Sequence, residues 1–291
     1  MRPGPWKIAR GSLSLEAPLV MGILNLTPDS FSDGGVLGSV SSALRRTEEM
    51  MGEGAAILDV GGESTRPGAP SVEADEEIRR VVPTIEAITA RFPVPVSVDT
   101  RKSRVAQAAI DAGAAIVNDV SGLRFDPEMA GVVAASGTGA VLMHMRGTPA
   151  DMREHTHYEG AVEEEVALEL GQAVNVALRA GIDRSALVLD PGIGFAKSAS
   201  QSLRLLGHLE PLLALGFPIL VGPSRKSFLG ELLGVPAEER AVGTAAACVL
   251  SFLQGARIFR VHDVGVTFQA LQVAAAIQGT QHSEGEVRAT T

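Results

Sequence analysis

The 291-residue sequence contains a single cysteine, Cys248, within the apolar stretch AAACVLSFL. One thiol excludes an internal disulfide bond and a zinc site built from cysteines. Its apolar setting predicts an inert core residue, because free cysteines are usually buried. We therefore expect a cytoplasmic protein.

Basic residues are outnumbered by acidic ones, and the net charge is −9. A nucleic-acid partner requires a basic surface that matches the phosphate backbone, so the charge argues against nucleic acid as the main partner. Small anionic substrates are not excluded, because they need only a local positive pocket.

Long apolar runs, metal-binding clusters and linkers are missing as well. No apolar run reaches the roughly 20 residues that cross a bilayer, and the N-terminal MRPGPWKIARGS lacks the apolar block of a secretory signal. There is no Cys or His cluster with metal spacing and no Ser-His-Asp signature. With 45% hydrophobic and 20% charged residues, the sequence predicts a globular protein without membrane contact.

What the sequence does contain is a series of eight short apolar runs, each followed by polar, turn-forming residues. The runs are rich in Val, Ile and Leu and do not alternate with polar residues, which is typical of parallel strands covered on both faces. Helical patterns, several of which end in Gly, separate the runs. The alternation extends from about Leu19 to Gly279, close to the roughly 250 residues of a (β/α)8 TIM barrel. A doubly wound open sheet is disfavoured, because no glycine-rich dinucleotide-binding turn follows the first run.

The two ends of the chain lie outside this alternation. Residues 5–17 predict a short N-terminal β-hairpin that caps the bottom of the barrel. Residues 280–291 are polar and predict a frayed C-terminal tail. We therefore expect a single α/β domain over residues 1–279.

The carboxyl ends of TIM-barrel strands open onto one face, which carries the active site, so polar residues that end the runs should meet there. These residues are Asn25, Asp59, Asp99, Asn118, His144, Asp190, Lys226, Arg260 and His262. Any one of them could instead cap the next helix, and this interpretation suits Asp59, Asp119 and Asp263. Cations and imidazoles are poor N-caps, so a site explains the set better.

Two patterns at these strand ends indicate chemistry. A buried carboxylate, such as Asp99 or Asp190, can accept N–H groups from the edge of an amino-pyrimidinone ring, while a neighbouring amide fixes the orientation of the ring. Arg260 and His262 alternate along the last strand and so point to the same side. Together with Asn25 on the neighbouring first strand they could hold an anion, with or without Mg²⁺.

Lys226 and two loops allow further interpretations of the site. Lys226 could form a Schiff base, as in an aldolase. Its position at the start of a helix suits contact with an anion or a carbonyl better. The loops NLTPDSFSDGG and GGESTRPGAP are rich in Gly and Pro, which is typical of mobile flaps over a site.

Eight motifs spread over residues 21–264 carry a resemblance to a known family. They are MGILNLTPDSFSDGG, DVGGESTRPGA, VSVDT, VNDVSG, LMHMRGTP, DPGIGFAKS, GPSRKSFLG and RVHDV. On these motifs the sequence closely resembles the dihydropteroate synthase family of folate biosynthesis, although Pro223 stands where Ala or Thr is expected. The resemblance implies a (β/α)8-barrel transferase that condenses 6-hydroxymethyl-7,8-dihydropterin diphosphate with 4-aminobenzoate. It further implies assistance by Mg²⁺, competition by sulfonamides and a homodimer.

The resemblance also implies roles for individual residues. The expected catalytic residues are Asp99, Lys226, Arg260 and His262. The expected pterin pocket consists of Asp99, Asn118, Val120, Met143, Asp190, Phe195, Gly222, Lys226 and Arg260. The expected diphosphate site consists of Asn25, Thr65, Arg66, Arg260 and His262, with Asn25 also at the Mg²⁺. The expected aminobenzoate pocket and flaps consist of Phe31, Asp33, Thr65, Arg66, Pro67, Phe195, Lys226 and Ser227.

Two other functions would share part of this pattern. The methyltetrahydrofolate domain of corrinoid methyltransferases shares the Asp and Asn contacts to the pterin, but it would not need the ESTRPG flap or the SRKS motif. A non-catalytic folate-binding protein would be expected to have lost Arg260, His262 or the flap residues, and all are present.

Overall fold

A small hairpin precedes the main sheet. The computed structural model describes residues 4–26, 35–66 and 68–288. Its first two strands, β1 (Trp6–Ile8) and β2 (Gly11–Leu13), pair antiparallel. The predicted N-terminal hairpin is therefore confirmed.

The predicted apolar runs form the parallel strands of a barrel. The strands are β3 (Leu19–Asn25), β4 (Ile57–Gly61), β5 (Val96–Asp99), β6 (Ile116–Asp119), β7 (Gly139–Met143), β8 (Leu187–Asp190), β9 (Leu220–Val221) and β10 (Ile258–Val261). Neighbours in the chain pair from β3 to β8, and β10 pairs with both β3 and β9. A bridge between Leu189 and Ile219 closes the ring. The (β/α)8 prediction is confirmed.

Helices follow the strands and cover the outside of the barrel. They are α1 (Gly35–Gly52), α2 (Ala74–Arg91), α3 (Ser103–Asp111), α4 (Met129–Ser136), α5 (Val162–Arg179), α6 (Ala199–Gly207), α7 (Glu210–Leu213), α8 (Ser227–Leu233), α9 (Ala241–Gln254) and α10 (Val264–Arg288). The start of α6 is fixed by a capping box, in which Ser198 and Gln201 each accept a bond from the other's backbone N–H. Within the described residues, no helix combines the length and the apolar character needed to cross a membrane.

The C-terminal boundary differs from the prediction. Helix α10 continues beyond Gly279 to Arg288, so most of the predicted frayed tail is helical. Residues 280–288 contain no proline, and each of them therefore keeps the backbone N–H donor that a helix requires.

The hairpin closes the amino end of the barrel. Trp6 is fully buried in an apolar cluster that includes Met21, Ile57 and Ile116. Its indole Nε1 donates to the carbonyl of Ala186 at 2.8 Å, so the polar atom of this large side chain is also satisfied. Side chains therefore fill the interior of the barrel at this end.

At the carboxyl end, the strand register places polar residues side by side. Asn25 pairs with Gly61, Gly61 with Asp99, and Asp99 with Asn118 across four neighbouring strands. Strand β8 ends at Asp190 on the same face of the barrel. These positions form the rim of the candidate site.

Candidate active site

Arg260 lies between two carboxylates of the rim. Strand β10 places its guanidinium so that Nε donates to Asp59 Oδ2 and Nη2 donates to Asp99 Oδ2, each at 2.6 Å. The arginine side chain is 18% exposed, and both carboxylates are buried. Burial lowers the pKa of Arg260, but the two carboxylates outweigh this effect and raise the pKa above its usual range. The guanidinium is therefore a permanent cation that stays partly open to a ligand.

Asp59 belongs to this site, and its interpretation as a helix cap is wrong. Its side chain is fully buried, and Oδ2 also accepts a bond from Asn118 Nδ2 at 3.1 Å. Asp59 and Gly61 lie two residues apart on β4 and so face the same side of the strand. Since Gly61 borders Asn25 and Asp99, this alternation is the signal that could have placed Asp59 inside the barrel.

Asp99 has one oxygen bound and one without a partner. Its Oδ1 is buried and makes no hydrogen bond with any described residue, and the same holds for Asp59 Oδ1. Burial raises the pKa of Asp99 to about 7, although Arg260 opposes the shift. A buried polar atom without a partner costs roughly 1–3 kcal/mol. The unpaired oxygen of Asp99 is best explained by a donor that arrives with a ligand.

Asp190 and Lys226 form the other half of the pocket. Asp190 accepts a bond from the backbone N–H of Gly192 at 2.7 Å, and burial raises its pKa to about 6. Lys226 directly precedes α8, as predicted, and its Nζ lies 3.8 Å from the centre of the Phe195 ring. Burial, together with Arg260, lowers the pKa of Lys226 to about 8. Both groups therefore titrate near neutral pH, as groups in active sites commonly do.

The pocket has apolar walls. Val120, Met143 and Phe195, three of the predicted wall residues, share one buried cluster. Gly222, the fourth, lies beside Arg260, where a Cβ on the glycine would stand 3.8 Å from the arginine Cβ. Apolar walls with a few polar groups at fixed positions are typical of sites for small heterocycles.

His262 is held by Ser224 as a neutral imidazole. Ser224 Oγ accepts the backbone N–H of His262 at 3.1 Å and lies 3.0 Å from Nδ1. Burial, with the charges of Arg260 and Arg225, lowers the pKa of His262 to about 3. In the tautomer in which Nδ1 accepts from the serine hydroxyl, Nε2 carries the proton and can donate to an anion.

Asp119 and Asp263, both interpreted as caps, differ in role. Asp119 accepts bonds from the backbone N–H groups of Ser121 and Leu123, each at 2.8 Å, and so stabilises the turn after β6. Asp263 instead makes a two-bond ion pair with Arg225, at 3.0 and 2.6 Å. The cap interpretation therefore misses the ion pair that connects the ends of β9 and β10.

His144 is not part of the rim, contrary to the prediction. Its ring is fully buried, with Nδ1 at 2.9 Å from Lys197 Nζ and Nε2 at 3.1 Å from Glu169. Glu169 belongs to α5, so the ring points towards the helix layer. Sequence reasoning missed both partners of His144, although Lys197 lies within the DPGIGFAKS motif.

The second flap begins at a buried ion pair. Glu63 accepts a bond from the backbone N–H of Val72 at 2.9 Å and pairs with Arg101 at 3.0 Å, which ties the two ends of the loop together. Between these ends, Thr65 is half-buried and Arg66 is exposed. The predicted flap residues Phe31, Asp33 and Pro67 lie outside the described residues, and Ser227 is exposed at the start of α8.

Comparison with known proteins identifies the family. A family model described as pterin binding enzyme matches residues 21–262. The chain belongs to this family of pterin-binding enzymes. The matched residues extend from within β3 to the residue after β10 and so include both halves of the rim.

Several relatives within the pterin-binding family are dihydropteroate synthases. The enzyme of Bacillus subtilis is 48% identical over 249 residues, which cover 86% of this chain and 85% of the relative. A structure of Xanthomonas albilineans dihydropteroate synthase with 4-aminobenzoic acid has a TM-score of 0.89 and 45% identity, and covers 95% of this chain and 98% of its own. A Yersinia pestis dihydropteroate synthase with a sulfonamide drug has a TM-score of 0.89 and 41% identity, and covers 94% and 99%. The resemblance seen in the motifs is confirmed over nearly the whole chain.

Proposed function

We propose that this pterin-binding enzyme condenses 6-hydroxymethyl-7,8-dihydropterin diphosphate with 4-aminobenzoate, which is the dihydropteroate synthase reaction. The observation that carries the proposal is the cluster of Asp59, Arg260 and Asp99, in which a permanent cation and an unpaired carboxylate oxygen share one mouth. Relatives of the same fold bind 4-aminobenzoic acid and a sulfonamide drug. Sulfonamides therefore compete with the arylamine in this protein as well.

The pterin binds between the rim carboxylates. Asp190 and the free oxygen of Asp99 accept N–H groups from the edge of the amino-pyrimidinone ring. Asn118 donates its Nδ2 hydrogen to Asp59, so its Oδ1 is left to accept from the pterin. Val120 and Met143 form part of the apolar walls beside the ring.

The diphosphate binds on the opposite side of Arg260. Arg260 and the Nε2–H of His262 donate to its oxygens, and Thr65 and Arg66 approach from the second flap. Both donors lie at the end of β10, which pairs with β3, the strand that ends at Asn25. This arrangement puts positive charge where the leaving group departs.

The residues at Asn25 fit a Mg²⁺ ion. The amide oxygen of Asn25 is a hard ligand, and Mg²⁺ commonly keeps several waters and binds substrate phosphates alongside one or two protein oxygens. A Cβ on Gly61 would stand 3.7 Å from both Asn25 Oδ1 and Asp99 Oδ2, so the missing side chain leaves space between these oxygens. When bound, the ion would neutralise charge on the diphosphate.

The order of the bond-breaking and bond-forming steps follows from the positions at which charge develops during the reaction. The bond between the methylene carbon and the diphosphate oxygen breaks, and its electron pair leaves with the diphosphate. The methylene cation that remains is conjugated to the dihydropterin ring, and ionised Asp99 stabilises it. The neutral amine of 4-aminobenzoate then forms the C–N bond and releases a proton, so no general base is needed before bond formation. The path is SN1-like.

The arylamine binds beside the Phe195 ring and Lys226. The ammonium of Lys226 lies over that ring, where it can attract an anionic substrate while packing against an apolar surface. Other residues complete this pocket from the flaps and the start of α8. They are Phe31, Asp33, Thr65, Arg66, Pro67 and Ser227.

The direct test is to measure both products made by the purified protein. We expect equal amounts of 7,8-dihydropteroate and diphosphate, and no product when the pterin lacks its diphosphate. Methyl transfer from methyltetrahydrofolate to a corrinoid should not occur. A folded protein that binds the pterin diphosphate but forms neither product would contradict the proposal.

We also propose a homodimer in the cytoplasm. Helices α9 and α10 pack against each other and carry exposed apolar side chains. Those side chains are Val242, Leu250 and Leu253 on α9, and Val266 and Val273 on α10. Their spacing places each set on one face of its helix, which a second copy would cover. Light scattering during size-exclusion chromatography should give twice the mass of the chain; a monomer at micromolar concentration would contradict the proposal.

A further inference from the structure

The loop from Asp190 to Ser198, which carries Asp190 and Phe195 into the pocket, has an unfavourable backbone. Gly192 and Gly194 have φ values of 67° and 77°, and Ala196 has a φ of 49°. At Gly192 a Cβ would stand 1.9 Å from the carbonyl oxygen of His144, so only glycine fits. Ala196 carries a side chain in the left-handed region, which costs energy and persists only where the surroundings hold it.

A buried ammonium holds this loop from below. Lys197 Nζ donates to the carbonyl of Phe195 at 2.9 Å and to His144 Nδ1 at 2.9 Å. The backbone N–H of His144 in turn donates to the carbonyl of Asp190 at 2.9 Å. Lys197 therefore links Phe195, in the middle of the loop, to His144, which binds the first residue of the loop, Asp190.

Lys197 is the first member of a chain of side-chain contacts that returns to the same loop. His144 Nε2 lies 3.1 Å from Glu169, and Arg146 Nε donates to Glu169 at 2.8 Å. The Arg146 guanidinium lies 4.0 Å from the centre of the Tyr158 ring, and the Tyr158 hydroxyl donates to the carbonyl of Ala196 at 3.2 Å. This chain of contacts therefore begins at Lys197 and ends at the carbonyl of the strained Ala196, and both residues belong to the same loop.

The charge of Lys197 is costly where it lies. The residue is 8% exposed, and its described hydrogen bonds go to a carbonyl oxygen and to an imidazole that burial keeps neutral. Burial lowers the pKa of Lys197 to about 7, and the nearby Asp190 opposes the shift. An apolar side chain would avoid this cost, so stability alone does not account for a lysine here.

We propose that Lys197 is a positioning residue for the arylamine pocket. Its ammonium fixes the carbonyl of Phe195, and thereby the ring against which Lys226 and 4-aminobenzoate lie. This inference rests on the proposed function, because it concerns the second substrate of that reaction. Lys197 itself touches neither substrate.

The test compares Lys197→Met with wild type in steady-state kinetics on both substrates. Loss of a hydrogen bond from a charged donor should raise the KM for 4-aminobenzoate about tenfold, with the KM for the pterin diphosphate and kcat changing less than about threefold. Tyr158→Phe removes a second bond to the same loop and should raise the same KM by a smaller factor. If wild type makes no dihydropteroate, the proposed function fails; if wild type is active and the variants are normal, only the role of Lys197 fails.

A matched control separates positioning from stability. Ile116 is fully buried in the cluster at the amino end of the barrel, so Ile116→Ala should lower the melting temperature without changing either KM. The inference is overturned if Lys197→Met behaves like this control, that is, if its melting temperature falls while its KM for 4-aminobenzoate is unchanged. If Lys197→Met does not fold, an unchanged KM in folded Tyr158→Phe would overturn it equally.

Discussion

Replacing Arg260 with Met tests the rim most severely, because it removes the cation between two buried carboxylates. Asp59 is fully buried and Asp99 is 6% exposed, so neither can recover its lost partner from bulk water. Removing one partner of a buried ion pair costs about 3–5 kcal/mol. At about 2–4 °C for each kcal/mol, we expect the melting temperature to fall by roughly 6–20 °C.

The pH dependence of this loss has a defined sign. Arg260 lowers the pKa of Asp99, which burial has raised to about 7, so Arg260→Met should raise this pKa further. An acid whose folded pKa exceeds its unfolded pKa contributes stability that is lost as the pH rises through the folded pKa. The stability gap between wild type and variant should therefore widen above about pH 7.

A double-mutant cycle measures the coupling. Asp59→Asn in the Arg260→Met background removes one of the two uncompensated charges, so the double variant should recover about 1–3 kcal/mol relative to additive losses. Urea unfolding followed by circular dichroism at pH 6 and pH 9 gives all four free energies. The ion-pair cluster is refuted if the losses in unfolding free energy of the two single variants sum to that of the double variant within about 0.5 kcal/mol. It is also refuted if Arg260→Met loses less than about 1 kcal/mol.

Three further predictions concern single residues. Asp190→Asn should weaken the binding of a simple pterin by about 1–3 kcal/mol in calorimetry. Wild-type binding should fall as the pH falls through about 6, where Asp190 takes up a proton, and the variant should lack this dependence. Borohydride added during turnover should leave no adduct on Lys226 by mass spectrometry; an adduct would restore the Schiff-base hypothesis. Asn25→Ala should raise the Mg²⁺ concentration needed for half-maximal rate roughly tenfold, and an unchanged requirement would remove Asn25 from the metal site.

The strand ends could be predicted because they carry two signals at once. Strands β5 and β8 lie in mainly apolar runs that end in an acidic residue, so the positions of Asp99 and Asp190 follow from the sequence alone. Lys226 could be placed at a helix start because it follows a turn and precedes an apolar helical pattern. The register of parallel neighbours then brings these residues to one face.

Residues inside or beneath the strands could not be placed in the same way. Asp59 lies two positions before the end of β4, and its alternation with Gly61 places it inside the barrel only once the strand register is known. His144 follows β7 and turns towards α5, and only the tertiary packing decides between that helix and the mouth. The pairing of Asp263 with Arg225 joins residues 38 positions apart, which no local pattern contains.

Asp99→Asn tests the central claim most directly, because the claim is that ionised Asp99 stabilises a pterin methylene cation. The variant keeps the size of the side chain and removes its charge, so it should fold and still bind the pterin. We predict that kcat falls by about 10²-fold or more, while the dissociation constant of the pterin changes less than about tenfold. A variant whose kcat falls no more than its pterin affinity, or does not fall at all, would contradict the account.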